Sequence, residues 1–494
     1  MTTFLEPGPR IAAVLIGPLL LIGTARCARP VDGPDHLTAE QAAAIAQSCY
    51  YTSGPLADSL REDRPVPIYA ADPQDTWNRL HHLLFGRVTR RVMSSYFRDG
   101  TPARLETRLA SATSEEERRR LLGEARYPDR AVSLPAVERR IGGDAPDFFL
   151  YHDVGFLLQD GSRLSAIESL LTEADTETFI DGRSTVARIL LQQDLWNRFD
   201  ELDSLARYEK DPKVGARARR LQILLGRAIV RVACRPEDLA RVPSNFAAIA
   251  GAYGMIDSGL FSAGSPWREI VPVTSSSTGS TAHSFTAGYR RVFRVFLRVP
   301  PQAGGAQCLE EYFRRYDRLG ASYPELPCFP SGGLAPGTRA MLVETLLALG
   351  PTGEIVPLPL IFSIQVREIQ PLEPGADGRF TLDDIPFFVF HGSRLLLVRS
   401  GVNSGGLVAL SADAPVPPNV SAFGSGAEQS LVPARLACPQ CHDPTGQHLM
   451  TVGFHGIEGV RVLHPGNTIQ QEAVLRAKQK RDDYRDLRLY FPAD

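Results

Sequence analysis

The sequence predicts an α+β fold: a helical N-terminal half, a β-rich, sandwich-like middle domain and a short C-terminal segment built around two closely spaced cysteines. Three observations lead there. Apolar residues recur at three- and four-residue steps through the first half. Between 290 and 369 the period drops to two. Beyond a Pro/Gly/Ser-rich stretch, the motif Cys-Pro-Gln-Cys-His occupies 438–442. With 494 residues the chain exceeds one ordinary core. A hydrophobic share of 43% and a charged share of 22% are those of a globular protein, and a net charge of −2 gives no basic surface for nucleic acid.

The first segment, 1–28, reads as a signal peptide. Arg10 precedes the uncharged run "IAAVLIGPLLLIG" at 11–23, too short to span a bilayer and suited to an export signal. Gly23 and Ala25 form a small-x-small cleavage site before Arg26. A second reading lipidates Cys27 and makes that lipid anchor the one membrane contact, although Arg26 fits poorly where a small residue is usual. The expected localisation is therefore exported, in the periplasm or cell envelope.

Residues 36–255 read as helical. Thr38 and Gln41 open "HLTAEQAAAIAQSC" (36–49) as a capping box. In 183–208, Leu195, Phe199, Leu202 and Ala206 share one face. The run "ARARRLQILLGRAIVRVAC" (216–234) is a further helix, stopped by Pro236. Two stretches, "QDTWNRLHHLL" (74–84) and "QDLWNRFDELD" (193–203), share Gln, Asp, Trp, Asn and Arg in register. Their flanks differ, so the match reads as a common way of packing a Trp-bearing helix, with His81 and His82 as surface or core histidines.

Residues 256–284 read as a linker, Ser/Thr/Gly-rich over 271–284. The β-rich domain covers 285–412. Phe293, Val295, Leu297 and Val299 alternate with arginines, and Leu360, Phe362, Ile364 and Val366 with polar residues. "IPFFVFHGSRLLLVRS" (385–400) reads as two strands about a Gly392-Ser393 turn, with His391 at its tip. One helix, 309–320, interrupts the strands. A second linker spans 413–430. The last segment, 431–494, carries the cysteine motif and ends in a helix over 465–487, capped by Thr468 and Gln471, whose thin apolar face predicts exposure.

Export changes the cysteine arithmetic. Of seven cysteines, Cys27 falls within the 1–28 signal segment or takes lipid, and Cys438 and Cys441 are assigned to cofactor chemistry. Cys49, Cys234, Cys308 and Cys328 remain, enough for up to two disulfides, with Cys308 and Cys328 nearest in sequence. The other reading leaves them as buried thiols acting as small hydrophobes.

With seven Cys and ten His, a Cys-x-x-Cys-His is expected by chance roughly 0.002 times in this chain. Two thiols at that spacing match the two vinyl groups of a haem, and the next residue is a histidine able to ligate the iron. Over Cys438–His442 the chain resembles the c-type cytochromes. The resemblance implies covalent haem c on Cys438 and Cys441 and proximal iron ligation by His442. The motif lies late, and a linker after strands precedes it, so the rest is not an ordinary cytochrome fold. The whole layout also resembles a family of exported bacterial proteins without an assigned activity, a likeness of architecture alone. For the sixth iron position Met450 is the candidate and His455 the alternative, with His448, His464 and His391 also in view.

Two rival chemistries use the same cysteines. Cys438, Cys441, His448 and His455 have the donor types of a structural zinc site, with a final spacing too long for a zinc-finger helix. Cys-Pro-Gln-Cys also suits a redox dithiol, which calls for a βαβ frame that the linker before Cys438 does not supply. No Gly-rich phosphate loop, Gly-x-Ser-x-Gly or His-Glu-x-x-His is present. His152 and Asp153 are adjacent, a poor geometry for a catalytic pair. The expected function is electron transfer by an exported single-haem protein, with a redox protein or other envelope component as partner. The alternatives are a non-redox envelope scaffold clipped by zinc or a disulfide, and a peroxidase-like haem enzyme.

Overall fold

The computed structural model describes residues 64–97, 130–141, 154–174, 176–272, 291–319, 325–330, 334–369, 387–410, 415–416, 432–433, 460–463, 475 and 478–492. The helices are α1 (Thr76–Phe85), α2 (Gly155–Gln159), α3 (Gly161–Glu173), α4 (Thr185–Tyr208), α5 (Pro212–Val232), α6 (Pro236–Ala240), α7 (Phe246–Ala252), α8 (Gly305–Leu319) and α9 (Asp482–Arg488). The strands are β1 (Arg87–Phe97), β2 (Arg130–Ile141), β3 (Arg268–Pro272), β4 (Arg291–Arg298), β5 (Arg339–Leu349), β6 (Ile355–Glu368), β7 (Phe387–Gly392), β8 (Leu407–Leu410), β9 (Pro415–Val416), β10 (Val432–Pro433) and β11 (Val460–Leu463).

Capping side chains fix the helix starts. Asp75 accepts from the Trp77 amide at 2.9 Å, Asp160 from Ser162 and Arg163, Ser184 from Ala187, and Asp211 from Lys213. Pro212 stands at the first position of α5, where its missing N–H costs nothing. Leu195, Phe199 and Leu202 of α4 are fully buried, as their spacing predicts, each stabilising by about 1.5–3 kcal/mol.

Seven strands form one antiparallel sheet in the order β11-β3-β4-β5-β6-β7-β8. The α+β class therefore holds, but the sandwich-like expectation does not: among the described residues helices, not a second large sheet, pack on this layer. One core cluster joins Trp77 of α1, Ile167 of α3, Trp196 and Phe199 of α4 and Leu225 of α5 to Leu346–Leu349, Leu360 and Phe362 of the sheet. Gln192 reinforces that joint, its amide donating to Leu349 O at 3.0 Å and accepting from Leu349 N at 2.7 Å. A second cluster packs Phe246 and Ile249 of α7 and Trp267 against Phe296, Met341, Val343, Ile364 and Phe390. A third places α8 over Leu297 and Val299, with Tyr312 stacked on Phe329 at 3.6 Å.

Several boundaries differ from the sequence reading. The stretch expected to be helical contains the antiparallel β1–β2 ladder, and the expected linker 256–284 contains β3, next to the buried Trp267. No hairpin turn forms at Gly392-Ser393. Ser393 Oγ accepts from the Leu396 amide at 3.0 Å and starts a helical turn, Leu396–Ser400, and β7 pairs with β8 beyond it. Of the helix expected over 465–487 the structure describes the end, as α9, and this end is not wholly exposed: Tyr484 and Leu487 are buried, and Tyr484 donates to Gly353 O at 2.8 Å. Gly353 has φ +81°, a conformation suited to glycine, in the β5–β6 turn that receives this helix. The 36–49 helix and its cap, the 273–284 part of the first linker, and Thr468 and Gln471 lie outside the described residues.

Candidate functional site

Cys438, Cys441, His442, Met450 and His455 lie outside the described residues, as do His448, His464, Cys27, Cys49, His152 and Asp153. The described chain holds both ends of the segment that bears the motif. Val432 and Pro433 of β10 pair with Val416 and Pro415 of β9, and Val460–Leu463 of β11 pair with β3 at the edge of the large sheet.

His391 is not at a hairpin tip. It lies within β7, opposite Ser363 on one side and Val408 on the other, and is 4% exposed. Burial, reinforced by the charge of Arg291, pushes its imidazole down to about 3. The same row continues to Glu344, the partner of Ser363 on β5. Glu344 accepts from Arg291 at 2.7 Å, and burial raises its carboxyl against the pull of that guanidinium. These groups share one pleat face, closed from solvent.

The structure also assembles a polar centre that the sequence reading missed. Asp194 of α4 accepts from the Tyr69 hydroxyl at 2.6 Å and from Arg394 Nε at 2.9 and 3.0 Å, with Arg394 Nη2 completing a fork. His81 of α1 puts Nε2 3.4 Å from Asp194 Oδ2. Burial pushes this imidazole down to about 3, although Asp194 pulls the other way. The ring is therefore neutral and the approach is a dipolar contact, not an ion pair. Tyr69 is held well above the usual phenol range, by burial first and then by the Asp194 charge. Its ring lies edge-on to Trp77 at 5.7 Å, and His81 stacks on Phe85 at 4.9 Å. Arg394 and Arg291 both approach the Phe362 ring, at 5.9 and 4.9 Å, so the two buried polar groups adjoin.

Chemically, this centre fixes protons: it keeps the phenol protonated and the imidazole neutral. Each member is at most 7% exposed, out of reach of a substrate, so it serves as a clamp. It ties the two Trp-bearing helices to the turn after β7. The one sequence signal for it was the repeated Gln-Asp-x-Trp-Asn-Arg, since Asp194 and His81 both belong to those stretches. Arg394 carries no such signal.

Cys308 and Cys328 form a disulfide between α8 and the segment that follows, and Cys234 is a free buried thiol. Among the described residues no group of three or more His, Cys, Asp or Glu side chains is placed to hold a metal ion. No described helix is long and apolar enough to cross a membrane. Comparison of the chain with protein-family models, curated proteins and solved structures gives no match.

Proposed function

We propose that the chain is an exported single-haem c-type protein that transfers electrons in the cell envelope. The reading is carried by one observation, Cys438-Pro-Gln-Cys441-His442. Its donor set fits the group: two thiols for two thioether bonds and an imidazole for the iron. Cys438 and Cys441 hold the porphyrin edge, and His442 supplies the proximal nitrogen. Met450 is the proposed sixth ligand and His455 the alternative. When bound, the haem supplies a one-electron couple tuned by that ligand. The Cys308–Cys328 disulfide supports export, because such bonds persist in oxidising compartments.

The test is a haem stain on a denaturing gel, with the protein made in an exporting host that attaches c-type haem. Colour that survives denaturation and disappears in Cys438→Ala/Cys441→Ala is the expected result. An unstained wild-type chain overturns the haem reading. One zinc bound per chain would then favour the Cys438, Cys441, His448, His455 set and an envelope scaffold.

A further inference from the structure

A groove of about 640 Å³ runs between α3 and α5. Ser165, Ser169 and Thr172 line its α3 side, Arg219 and Arg220 rise from α5, and Ile223 and Leu224 contribute the apolar surface. Leu224 leans on the core, whereas Ile223, also partly buried, belongs to no core cluster. An apolar side chain that lines a concavity and packs in no core cluster has a face to offer.

The charge around the groove is segregated. The chain has 54 basic and 56 acidic residues, yet α5 carries Lys213, Arg217, Arg219, Arg220, Arg227 and Arg231 with no acidic residue between Pro212 and Val232. Positions 213, 217, 220, 224, 227 and 231 follow steps of four and three and so form one stripe, about 27 Å long at 1.5 Å per residue. Arg217 and Arg231 each give one hydrogen bond to a neighbouring carbonyl, at Leu158 and Thr176. Arg220 pairs with Glu168 across the groove at 2.9 Å and is 71% exposed. Lys213, Arg219 and Arg227 make no ion pair among the described residues. A purely solvated basic face would explain the charges but not the concavity or the apolar Ile223 that lines it.

We infer that this groove docks an acidic amphipathic helix of a partner protein. Glutamates or aspartates along one edge of that helix meet the α5 stripe, and an aliphatic side chain enters beside Ile223, the usual arrangement for a helix laid in a groove. A flat anionic membrane would contact the exposed arginines without needing the concavity. The inference does not rest on the haem reading, because no residue of 434–459 takes part.

The probe is a fluorescein-labelled helix of about 18 residues, matched to the stripe length, with glutamates on one face and leucines on the other. Binding to the full chain is followed by anisotropy, beside the same composition in scrambled order and beside phosphatidylglycerol vesicles. Expected results are saturable binding, weakened about tenfold by Arg219→Glu/Arg227→Glu and by Ile223→Ser, and weakened further as salt screens the pairs. Arg219→Gln/Arg227→Gln gives the same direction with a smaller effect and guards against a folding defect. Cys438→Ala/Cys441→Ala leaves the affinity unchanged, which separates this result from the haem test. No binding, equal binding of the scrambled peptide, or binding to vesicles alone overturns the inference.

Discussion

Helices α1 and α4 carry the same five residue types in the same register and use them in different ways. In α1, Gln74 and Arg79 face solvent, and Asp75 caps the first turn and pairs with Arg183. In α4 the matching Gln193, Asp194 and Arg198 are all buried: Gln193 bonds Leu347 O, Asp194 holds Arg394, and Arg198 pairs with Glu201. The tryptophans alone are used alike, both in the core. Position within the helix makes the difference. The motif starts α1, where Gln74 and Asp75 precede the helix, but it lies in the middle of α4, wedged between the sheet and α1. A shared pattern thus fixes which residue packs and leaves open whether its polar neighbours cap, solvate or clamp.

Removing each aspartate tests that contrast most strongly. Asp194→Ala leaves the Arg394 guanidinium buried without its carboxylate and should cost about 3–5 kcal/mol. Asp75→Ala loses a cap and a partly exposed ion pair, about 1–2 kcal/mol. Urea midpoints of the two variants measure both losses, and equal losses would erase the distinction between cap and clamp.

Acid should weaken the clamp next. His81 and His391 have folded-state pKa values of about 3, below the ordinary 6.5, so the folded chain binds fewer protons than the unfolded one. Their contribution is complete above about pH 6.5 and is lost as pH falls from there toward 3, by about 1.4 kcal/mol per pH unit for each histidine. Glu344 acts in the opposite sense: its raised carboxyl loses stability as pH rises above its ordinary 4.5. Chemical unfolding between about pH 4.5 and 6.5 should therefore show a shallower slope in His81→Gln, by one proton, with the Glu344 part common to both chains. An unchanged slope would place the His81 imidazole in contact with water.

Much of the frame was legible. Leu195, Phe199 and Leu202 announced α4, and the alternation at Phe362, Ile364 and Val366 announced β6. Local periodicity reports local structure, so what it missed depends on distant partners. The apolar run Leu395–Val398 looked like a strand, but Ser393 bonds the Leu396 amide and turns it helical. The last helix looked exposed because its apolar face is thin, yet Tyr484 and Leu487, three apart, are enough to seat it near Gly353. Asp194 and Arg394 are 200 residues apart, and no window of sequence relates them. The Cys438–His442 motif was legible as chemistry because cofactor attachment is encoded in five consecutive positions, whatever the fold around them.

The smallest effect contrasts the asparagines that follow the tryptophans. Asn78 accepts from Tyr69 N at 2.7 Å and donates to Ala70 O and Asp72 O at 2.9 and 2.7 Å, knitting the chain before α1. Asn197 is also buried, but its Oδ1 has no partner among the described residues. Replacing a polar group whose partners stay buried costs their desolvation, whereas replacing one that is already unsatisfied removes a penalty. Asn78→Leu, which keeps the branching at Cγ, should lose about 2–3 kcal/mol, and Asn197→Leu should lie within about 1 kcal/mol of the wild-type chain. Urea unfolding of the two variants checks the pair. A large loss at Asn197 would mean that its amide is satisfied in solution, and that the two copies of the motif are closer equivalents than their surroundings indicate.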